Sequence, residues 1–234
     1  MRLDSSGVRA LLLDIEGTTT PVAFVYEVLF PFVRERVRDF LEQHAEEARA
    51  DLDLLKQEHA KESGAPLWKD DASAAEYVFW LMDRDRKSTG LKSLQGRIWE
   101  RGFKSGALHG AVYPDVPIAF ERWRRMEKSI AIFSSGSVGA QQNLFSTTAA
   151  GDLTRFISAF FDTTTGAKRD LESYRRITLA LGLRSPDLLF VSDVVAELDA
   201  ANAAGLPTAL CVREDEMVGS KEHPVIRTFD EVLP

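Results

Sequence analysis

Five short apolar runs are spread along the chain, and helical patterns separate the last four of them. The runs cover residues 8–13, 130–133, 158–161, 188–191 and 208–212. Such short, nearly continuous apolar runs are typical of strands in a parallel sheet that is covered on both faces. The intervening helical patterns cover residues 137–145, 171–181 and 195–204. This alternation predicts an α/β fold with a doubly wound, mostly parallel, Rossmann-like sheet.

The interval after the first strand is different, because it holds over a hundred residues and no strand-like run. Apolar residues recur at helical spacing in 25–41, 74–85 and 91–101. Pro31 lies within the first of these stretches, where it should begin a new helix or kink one. The pattern predicts an α-helical cap inserted after the first strand. We expect residues 21–111 to form the cap, and residues 1–20 and 112–234 to form the Rossmann-like catalytic core.

Composition narrows the class of protein. The 234 residues are 44% hydrophobic and carry a net charge of -7, which argues against a nucleic-acid partner. No apolar run is long enough to span a membrane, and the N-terminal MRLDSSGVRA lacks the apolar stretch of a signal peptide. The single cysteine, Cys211, cannot form an internal disulfide, and the four histidines lack ligand spacing. We therefore expect a cytoplasmic protein with no membrane contact and no zinc site.

The predicted strands end in residues that carry chemistry. The first ends in Asp14 and Glu16, the second in Ser134-Ser135-Gly136-Ser137, and the third runs on to Lys168. The fourth ends in Ser192-Asp193. Ligands of open parallel sheets bind at the carboxyl ends of the strands, so these groups should lie at one edge.

Three carboxylates at one edge of the sheet repel one another, and a bound cation would offset that repulsion. Two unit charges 4 Å apart cost about 4 kcal/mol at an effective dielectric near 20. Asp14, Glu16 and Asp193 supply the hard oxygen ligands that Mg²⁺ prefers, together with waters and a substrate phosphate. One carboxylate then attacks phosphorus, while Lys168, the serines and the helix start near Ser137 hold the phosphate.

Each of these features has an ordinary structural explanation when it stands alone. An aspartate after a strand is often a turn residue, SSGS is a common helix start, and a single lysine is usually solvated. The set of four at successive strand ends is much rarer. The phosphate-loop, nucleophile-elbow and dinucleotide-binding motifs are absent from the sequence.

The arrangement resembles the haloacid dehalogenase-like phosphohydrolases, which carry an acid-x-acid after the first strand, Ser or Thr after the second, then Lys, then an acid. The strings LLLDIEGTTTPVAFVYEVLFPF, IFSSGSVGAQQNLF, FFDTTTGAKRDLESYRRI and SDVVAELDAA are similar to the bifunctional enolase-phosphatases of methionine salvage. The resemblance extends from the first strand to the last helix and is weakest over residues 45–110.

The resemblance implies an activity. This family enolises 2,3-diketo-5-methylthiopentyl 1-phosphate and then removes its phosphate, which gives 1,2-dihydroxy-3-keto-5-methylthiopentene, the acireductone. Its members use Mg²⁺, one ion per subunit, and are generally monomeric. Asp14, Glu16 and Asp193 match the metal-binding acids, with Asp14 as nucleophile and Glu16 also catalytic. Ser134, Ser135 and Lys168 match the substrate-binding residues.

Three other functions stay open: a phosphatase of the same superfamily for another small phosphorylated metabolite, a non-catalytic binding module, and a true dehalogenase. The complete set of acids, hydroxyls and amine argues against the last two.

Two acids depart from the usual superfamily pattern. Glu16 stands where most of the phosphatases have Asp, so both metal ligation and proton transfer are open for it. Glu197, four residues after Asp193, lies either beside the site or on an exposed helix face. Phe24, Tyr26 and Phe30 follow the first motif and are candidates for lining the apolar tail of the substrate.

Overall fold

The structure is a computed structural model that describes residues 7–213 and 222–234. The expectation about the N-terminal leader rests partly on residues 1–6, which lie outside the described residues. The chain divides into two compact units, one of residues 1–24 and 109–234 and the other of residues 25–108. The sequence placed these boundaries at 20/21 and 111/112. Each unit is described separately below.

The first unit is built on a parallel sheet, in agreement with the predicted fold class. Within the described residues it has six strands in the order β3-β2-β1-β4-β5-β6, and each neighbouring pair is parallel. The strands are β1 Ala10–Leu13, β2 Ser129–Phe133, β3 Ala159–Phe161, β4 Leu188–Ser192, β5 Thr208–Cys211 and β6 Val225–Ile226. β6 was not predicted, because a two-residue edge strand is too short to show a periodic pattern.

Helices cover the sheet and make up the second unit. They are α1 Val22–Phe24, α2 Phe30–Gln43, α3 Arg49–His59, α4 Ala74–Asp83, α5 Thr89–Lys104, α6 Asp115–Arg125, α7 Val138–Ser146, α8 Leu171–Ala180 and α9 Val195–Ala203. None of the helices in the described ranges is long and apolar enough to cross a membrane.

Aromatic packing fixes α8 against the sheet. The buried ring of Tyr174 on α8 lies 5.8 Å from Phe133 of β2 and 5.1 Å from Phe190 of β4. Burying side chains of this size stabilises the fold by about 1.5–3 kcal/mol each. The opposite face carries α6, whose Phe120 and Trp123 are fully buried. The sheet is therefore covered on both faces, which explains its nearly continuous apolar strands.

The second unit is helical. A π-helix over Val25–Leu29 leads into α2, where Pro31 is the second residue, so the proline lies at a helix start as the sequence predicted. α2 packs closely on α5, because a Cβ on Gly102 would lie only 2.6 Å from the ring of Phe32. Buried Asp51 on α3 accepts 2.5 Å hydrogen bonds from Ser93 and Arg97 of α5. That this unit serves as a cap stays a prediction.

Candidate active site

Asp14 follows β1 directly and is only 2% exposed. Its Oδ1 accepts a 2.7 Å hydrogen bond from the backbone N–H of Ile15. The carbonyl of Ile15 accepts from the N–H groups of Thr18, Thr19 and Thr20, which closes a tight turn after the strand. The hydroxyl of Thr19 donates to the Asp14 carbonyl at 3.0 Å. Local hydrogen bonds therefore fix both the backbone and the carboxylate of Asp14.

Lys168 reaches the same carboxylate from the loop after β3. Its Nζ lies 2.6 Å from Asp14 Oδ1 and 2.7 Å from Glu197 Oε2. Burial opposes the charge on Lys168, but the two carboxylates outweigh it and raise the pKa of the ammonium group. Lys168 is therefore cationic at neutral pH. Two of its three N–H donors are used in these contacts within the described part of the chain.

Glu197 belongs to the site, and the alternative of an exposed helix residue is wrong. The residue is 8% exposed at the start of α9. The hydroxyl of Ser192 lies 3.1 Å from Glu197 Oε2 and 3.0 Å from Asp14 Oδ2. Burial, followed by the charge of Asp14, raises the pKa of Glu197, while Lys168 and Ser192 act against that rise. Ser192 thus links the acids from β1 and α9.

Glu16 lies one residue further along and is hydrogen bonded to the end of β2. Ser134 Oγ is 3.4 Å from Glu16 Oε2, and the same hydroxyl accepts from the N–H of Gly136. Burial and the neighbouring charge of Asp14 raise the pKa of Glu16. The Glu16 carboxyl is therefore closer to neutral than an exposed glutamate.

Asp193 comes from the end of β4 and lies against the turn after β1. A Cβ placed on Gly17 would be 2.2 Å from Asp193 Oδ2, and Gly17 has a φ of +70°. Only glycine accepts both the backbone conformation and this close approach. Burial of the carboxyl and the charge of Asp14 raise the pKa of Asp193 to about 7, although part of the residue is exposed.

The loop that carries Lys168 is anchored by side chains of α8. The hydroxyl of Tyr174 donates to the Lys168 carbonyl at 2.6 Å, and Ser173 donates to the Ala167 carbonyl at 2.7 Å. Arg176 donates to the carbonyl of Thr165 at 2.9 Å. Burial raises the pKa of Tyr174, so its hydroxyl keeps its proton. These bonds hold Lys168 in place from the backbone.

The start of α7 is less open to an anion than the sequence suggested. Asp162 accepts from the N–H of Val138 at 3.2 Å, and the hydroxyl of Ser137 accepts from Ala140 at 3.3 Å. Two N–H groups of the first turn therefore already have protein acceptors. Ser135 lies exposed at the beginning of this turn, next to the buried Ser134.

The donor set suits a hard divalent cation. Asp14, Glu16, Asp193 and Glu197 interact with one another and with the single ammonium group of Lys168, so negative charge is in excess. Burial is the main cause of the raised carboxyl pKa values of Glu16, Asp193 and Glu197, and the charge of Asp14 adds to it. Oxygen ligands of this kind fit Mg²⁺.

Asp14, Glu16 and Asp193 are not among the described residues whose potential ligand atoms all lie within 4.8 Å of one another. Among the described residues, the three potential ligands that do so are those of Asp199, Glu222 and His223, where the two ring nitrogens of His223 contact Thr208 and Asp199. A Mg²⁺ ion with ligands at about 2.1 Å would not reach all three predicted acids in these positions.

Comparison with known proteins identifies the family. The sequence model of the haloacid dehalogenase-like hydrolases matches residues 8–205. The enolase-phosphatase E1 of Synechococcus elongatus is 53% identical over 232 residues, covering 96% of this chain and 98% of that protein. The enolase-phosphatase E1 of Klebsiella pneumoniae subsp. pneumoniae is 45% identical, with 97% of each chain covered.

The chain belongs to the enolase-phosphatase E1 family of haloacid dehalogenase-like hydrolases. Among solved structures, the UTR4 protein of Saccharomyces cerevisiae superposes with a TM-score of 0.76 at 32% identity, covering 95% of this chain and 99% of that one. The resemblance drawn from the strand-end motifs is thereby confirmed.

The structure of this enolase-phosphatase family member brings most of the predicted site residues together. Lys168 is hydrogen bonded to Asp14 and Ser134 to Glu16, and the charges of Asp14 and Lys168 both act on Glu16. Asp193 lies beside these residues, against Gly17. Ser135 lies next to Ser134, exposed at the start of the turn that leads into α7. The roles of Ser192 and Tyr174 were not predicted from the sequence. The sequence signal for Ser192 is its position directly before Asp193, the acid at the end of β4. No sequence pattern indicated the role of Tyr174.

Proposed function

We propose that this protein is a Mg²⁺-dependent enolase-phosphatase. It would convert 2,3-diketo-5-methylthiopentyl 1-phosphate to the acireductone 1,2-dihydroxy-3-keto-5-methylthiopentene. The observation that carries the proposal is the fixed Asp14 carboxylate, held by Ile15, Lys168 and Ser192 beside Glu16 and Asp193. The full-length similarity to enolase-phosphatases E1 supports the choice of substrate.

The product defines the first step. A double bond between C1 and C2 requires that a proton leave C1, next to the C2 carbonyl, with the electron pair moving onto the carbonyl oxygen. Glu16 is our candidate for the base, because its raised pKa brings proton transfer closer to neutral pH. The proton then returns to the oxygen, which gives the enol phosphate.

The second step removes the phosphate. A carboxylate oxygen of Asp14 forms a bond to phosphorus as the bond from phosphorus to the C1 oxygen breaks. The leaving oxygen is now part of an enol, so it needs less help from a proton donor than an alkoxide would. Water then attacks the phosphorus of the aspartyl phosphate, which releases inorganic phosphate and restores Asp14.

The remaining residues bind and orient the phosphate. The third N–H donor of Lys168 would go to a phosphate oxygen, while Asp14 and Glu197 hold the other two. Ser135 would donate its hydroxyl from the end of β2, and Ser134 would do so once its single O–H turns from Glu16 to the substrate. Asp14 and Asp193, with Glu16 through its backbone or side chain, would hold one Mg²⁺. When bound, this ion supplies positive charge next to the enolate and phosphoryl oxygens.

The finer assignments of compartment and assembly are also proposals. We propose a monomeric, cytoplasmic enzyme without nucleic-acid or membrane partners. In support of the compartment, the single cysteine, Cys211, is buried and cannot form an internal disulfide. Light scattering after gel filtration would test the monomer. The tail-lining roles of Phe24, Tyr26 and Phe30 remain predictions.

The deciding experiment supplies the diketone phosphate with Mg²⁺ and records enol formation and phosphate release as two separate signals. We expect both signals, and we expect chelation to abolish phosphate release. Asp14→Asn should nearly abolish release, because uncatalysed phosphomonoester hydrolysis needs an acceleration of up to about 10²¹-fold. The exposed Asp39→Asn in α2 is the control.

Two results would contradict the proposal. Substantial turnover by Asp14→Asn would exclude Asp14 as nucleophile. Phosphate release from other small phosphorylated metabolites, with no enol signal from the diketone, would favour the alternative of another phosphatase in the superfamily.

A further inference from the structure

Arg213 follows β5 and directs its side chain at the turn after β1, 195 positions earlier in the chain. Its Nε and Nη2 both donate to the carbonyl oxygen of Thr18, at 2.9 Å and 2.7 Å. Its Nη1 donates to Asp115 at 2.7 Å. The side chain is only 5% exposed. Because Nε, Nη1 and Nη2 each donate to a protein acceptor, the guanidinium is held in one position and is not surrounded by solvent.

The surroundings of Arg213 also restrict it. The guanidinium lies over the ring of Tyr113 at 4.3 Å and over that of Phe229 at 4.7 Å. Asp115 also accepts from the N–H of Phe229 at 2.6 Å, so the partner of Arg213 is itself held in place. The planar fork of arginine suits this combination of stacking and paired donors, which lysine does not reproduce.

The carbonyl that Arg213 holds belongs to the turn that shapes the candidate site. The N–H of Gly17 donates to the Thr20 carbonyl, and the Thr19 carbonyl accepts from Tyr113. The same turn begins at Glu16 and includes Gly17, against which Asp193 lies. A shift of the Thr18 carbonyl would therefore move the backbone that separates Glu16 from Asp193.

We propose that Arg213 is a positioning residue that clamps the turn of residues 16–20. By holding the Thr18 carbonyl, it fixes the backbone between Glu16 and Asp193, two of the acids to which the proposed function assigns the cation. The part of this inference that concerns the cation rests on the proposed function. The clamp itself does not, because it concerns contacts within the metal-free protein.

The test compares variants of Arg213 with a variant of a second arginine that also donates to backbone carbonyls. Arg213→Met removes the donors and keeps the apolar stem, and Arg213→Lys retains a charge for Asp115 without the paired donors. The matched control is Arg122→Met. Arg122 also donates to backbone carbonyls, those of Phe229, Val232 and Leu233, but it makes none of its described contacts with the turn after β1.

The first readout is amide hydrogen exchange in the metal-free proteins. We expect faster exchange of the Gly17, Thr18, Thr19 and Thr20 amides in both Arg213 variants, and unchanged exchange there in Arg122→Met. Unchanged protection of these amides in Arg213→Lys, if that variant is folded, would overturn the clamp. This result does not depend on the activity, so it separates a failed clamp from a failed assignment of function.

The second readout is calorimetric binding of Mg²⁺ without substrate. Loss of a group that orients metal ligands typically weakens metal affinity by about 10–100-fold. We expect that loss in both Arg213 variants and wild-type affinity in Arg122→Met. Faster amide exchange with unchanged Mg²⁺ affinity would overturn the link between the clamp and the cation. Equal losses of Mg²⁺ affinity in the Arg213 and Arg122 variants would show that Arg213 only stabilises the fold in general, and would overturn its positioning role.

Discussion

Lys168 and Glu197 form a buried ion pair, with the Nζ of the lysine 2.7 Å from Oε2 of the glutamate. The two residues lie on different elements, the loop after β3 and the start of α9. The pair orients the ammonium group that also contacts Asp14. Because a buried charge is stable only when it is paired, each partner determines the charge state of the other.

Glu197→Gln removes this charge while preserving the shape of the side chain. A hydrogen bond to a charged group is worth about 1.5–3 kcal/mol, so we expect kcat to fall by about 10–100-fold. One of the two carboxylates that raise the pKa of Lys168 is lost as well. The alkaline limb of the profile of kcat against pH should therefore move to lower pH.

The control for this variant is Glu172→Gln on α8, whose carboxylate is half exposed and pairs with Arg175. Surface pairs of this kind contribute little, so its kcat should be that of the wild type. If the alkaline limb of Glu197→Gln coincides with that of the wild type, Glu197 does not act through Lys168.

Gly17→Ala should damage cation binding more than stability. The new Cβ would meet Asp193 Oδ2 at 2.2 Å. Gly182→Ala is a matched control, because Gly182 has a similar φ of +64° with nothing within 4 Å of the added Cβ. Both variants should lose about 1–2 kcal/mol of stability through the left-handed backbone.

The two glycine variants should differ in the Mg²⁺ concentration that gives half-maximal activity. We expect this concentration to rise by about 10–100-fold in Gly17→Ala and to stay unchanged in Gly182→Ala. A Gly17→Ala protein with normal activation by Mg²⁺ would show that the position of Asp193 does not matter for the ion.

The positions of the strand ends could be predicted from the sequence. Leu11–Leu13 reads as a buried strand, and the position of Asp14 at the carboxyl edge follows from it. These are local properties of the chain, so a single sequence reveals them. The short edge strand β6 depends on pairing with β5, which no local pattern encodes.

The contacts around Asp14 could not be predicted from the sequence and are known only from the structure. The spacing of Glu197 from Asp193 predicted that the two could share a helix face, and left the burial of Glu197 undecided. Its pairing with Lys168 joins segments 29 positions apart. Arg213 lies in an unremarkable stretch, LCVRE, and contacts Thr18 across almost the whole chain. Chemistry at a strand end is therefore predictable from motifs, whereas the residues that orient it are not.

The metal-free protein should lose stability as the pH rises from about 4 to about 7. Asp193 has a folded pKa of about 7, and that of Glu16 is raised as well, both above the ordinary carboxyl value of about 4. The stability that comes from their neutral forms is fully present below the ordinary value. It is lost as the pH rises through the folded value. Solvent around Asp193 reduces the size of this effect.

Denaturant unfolding at several pH values, with chelator and with Mg²⁺, measures this dependence. We expect the free energy of unfolding to fall with pH in chelator, and to fall less in Mg²⁺, because the ionised carboxylates then bind the cation. Asp193→Asn should flatten the curve in chelator. An equally steep curve in that variant would exclude Asp193 as a source of the pH dependence.

Glu16→Gln separates the two proposed steps. Glutamine keeps an oxygen that accepts from Ser134, but it cannot take a proton from carbon. Loss of a general base typically costs about 10²–10⁴-fold, so we expect enol formation to fall by that factor. Phosphate release from the preformed enol phosphate should fall much less, because Asp14 and Lys168 remain in place.

Ser134→Ala is the control for this variant, because it removes the contact with Glu16 and leaves the carboxylate. Its enol formation should fall by less than that of Glu16→Gln. Intact enol formation in Glu16→Gln would exclude Glu16 as the base. An equal fall in both signals would instead indicate that Glu16 acts through the cation that both steps share.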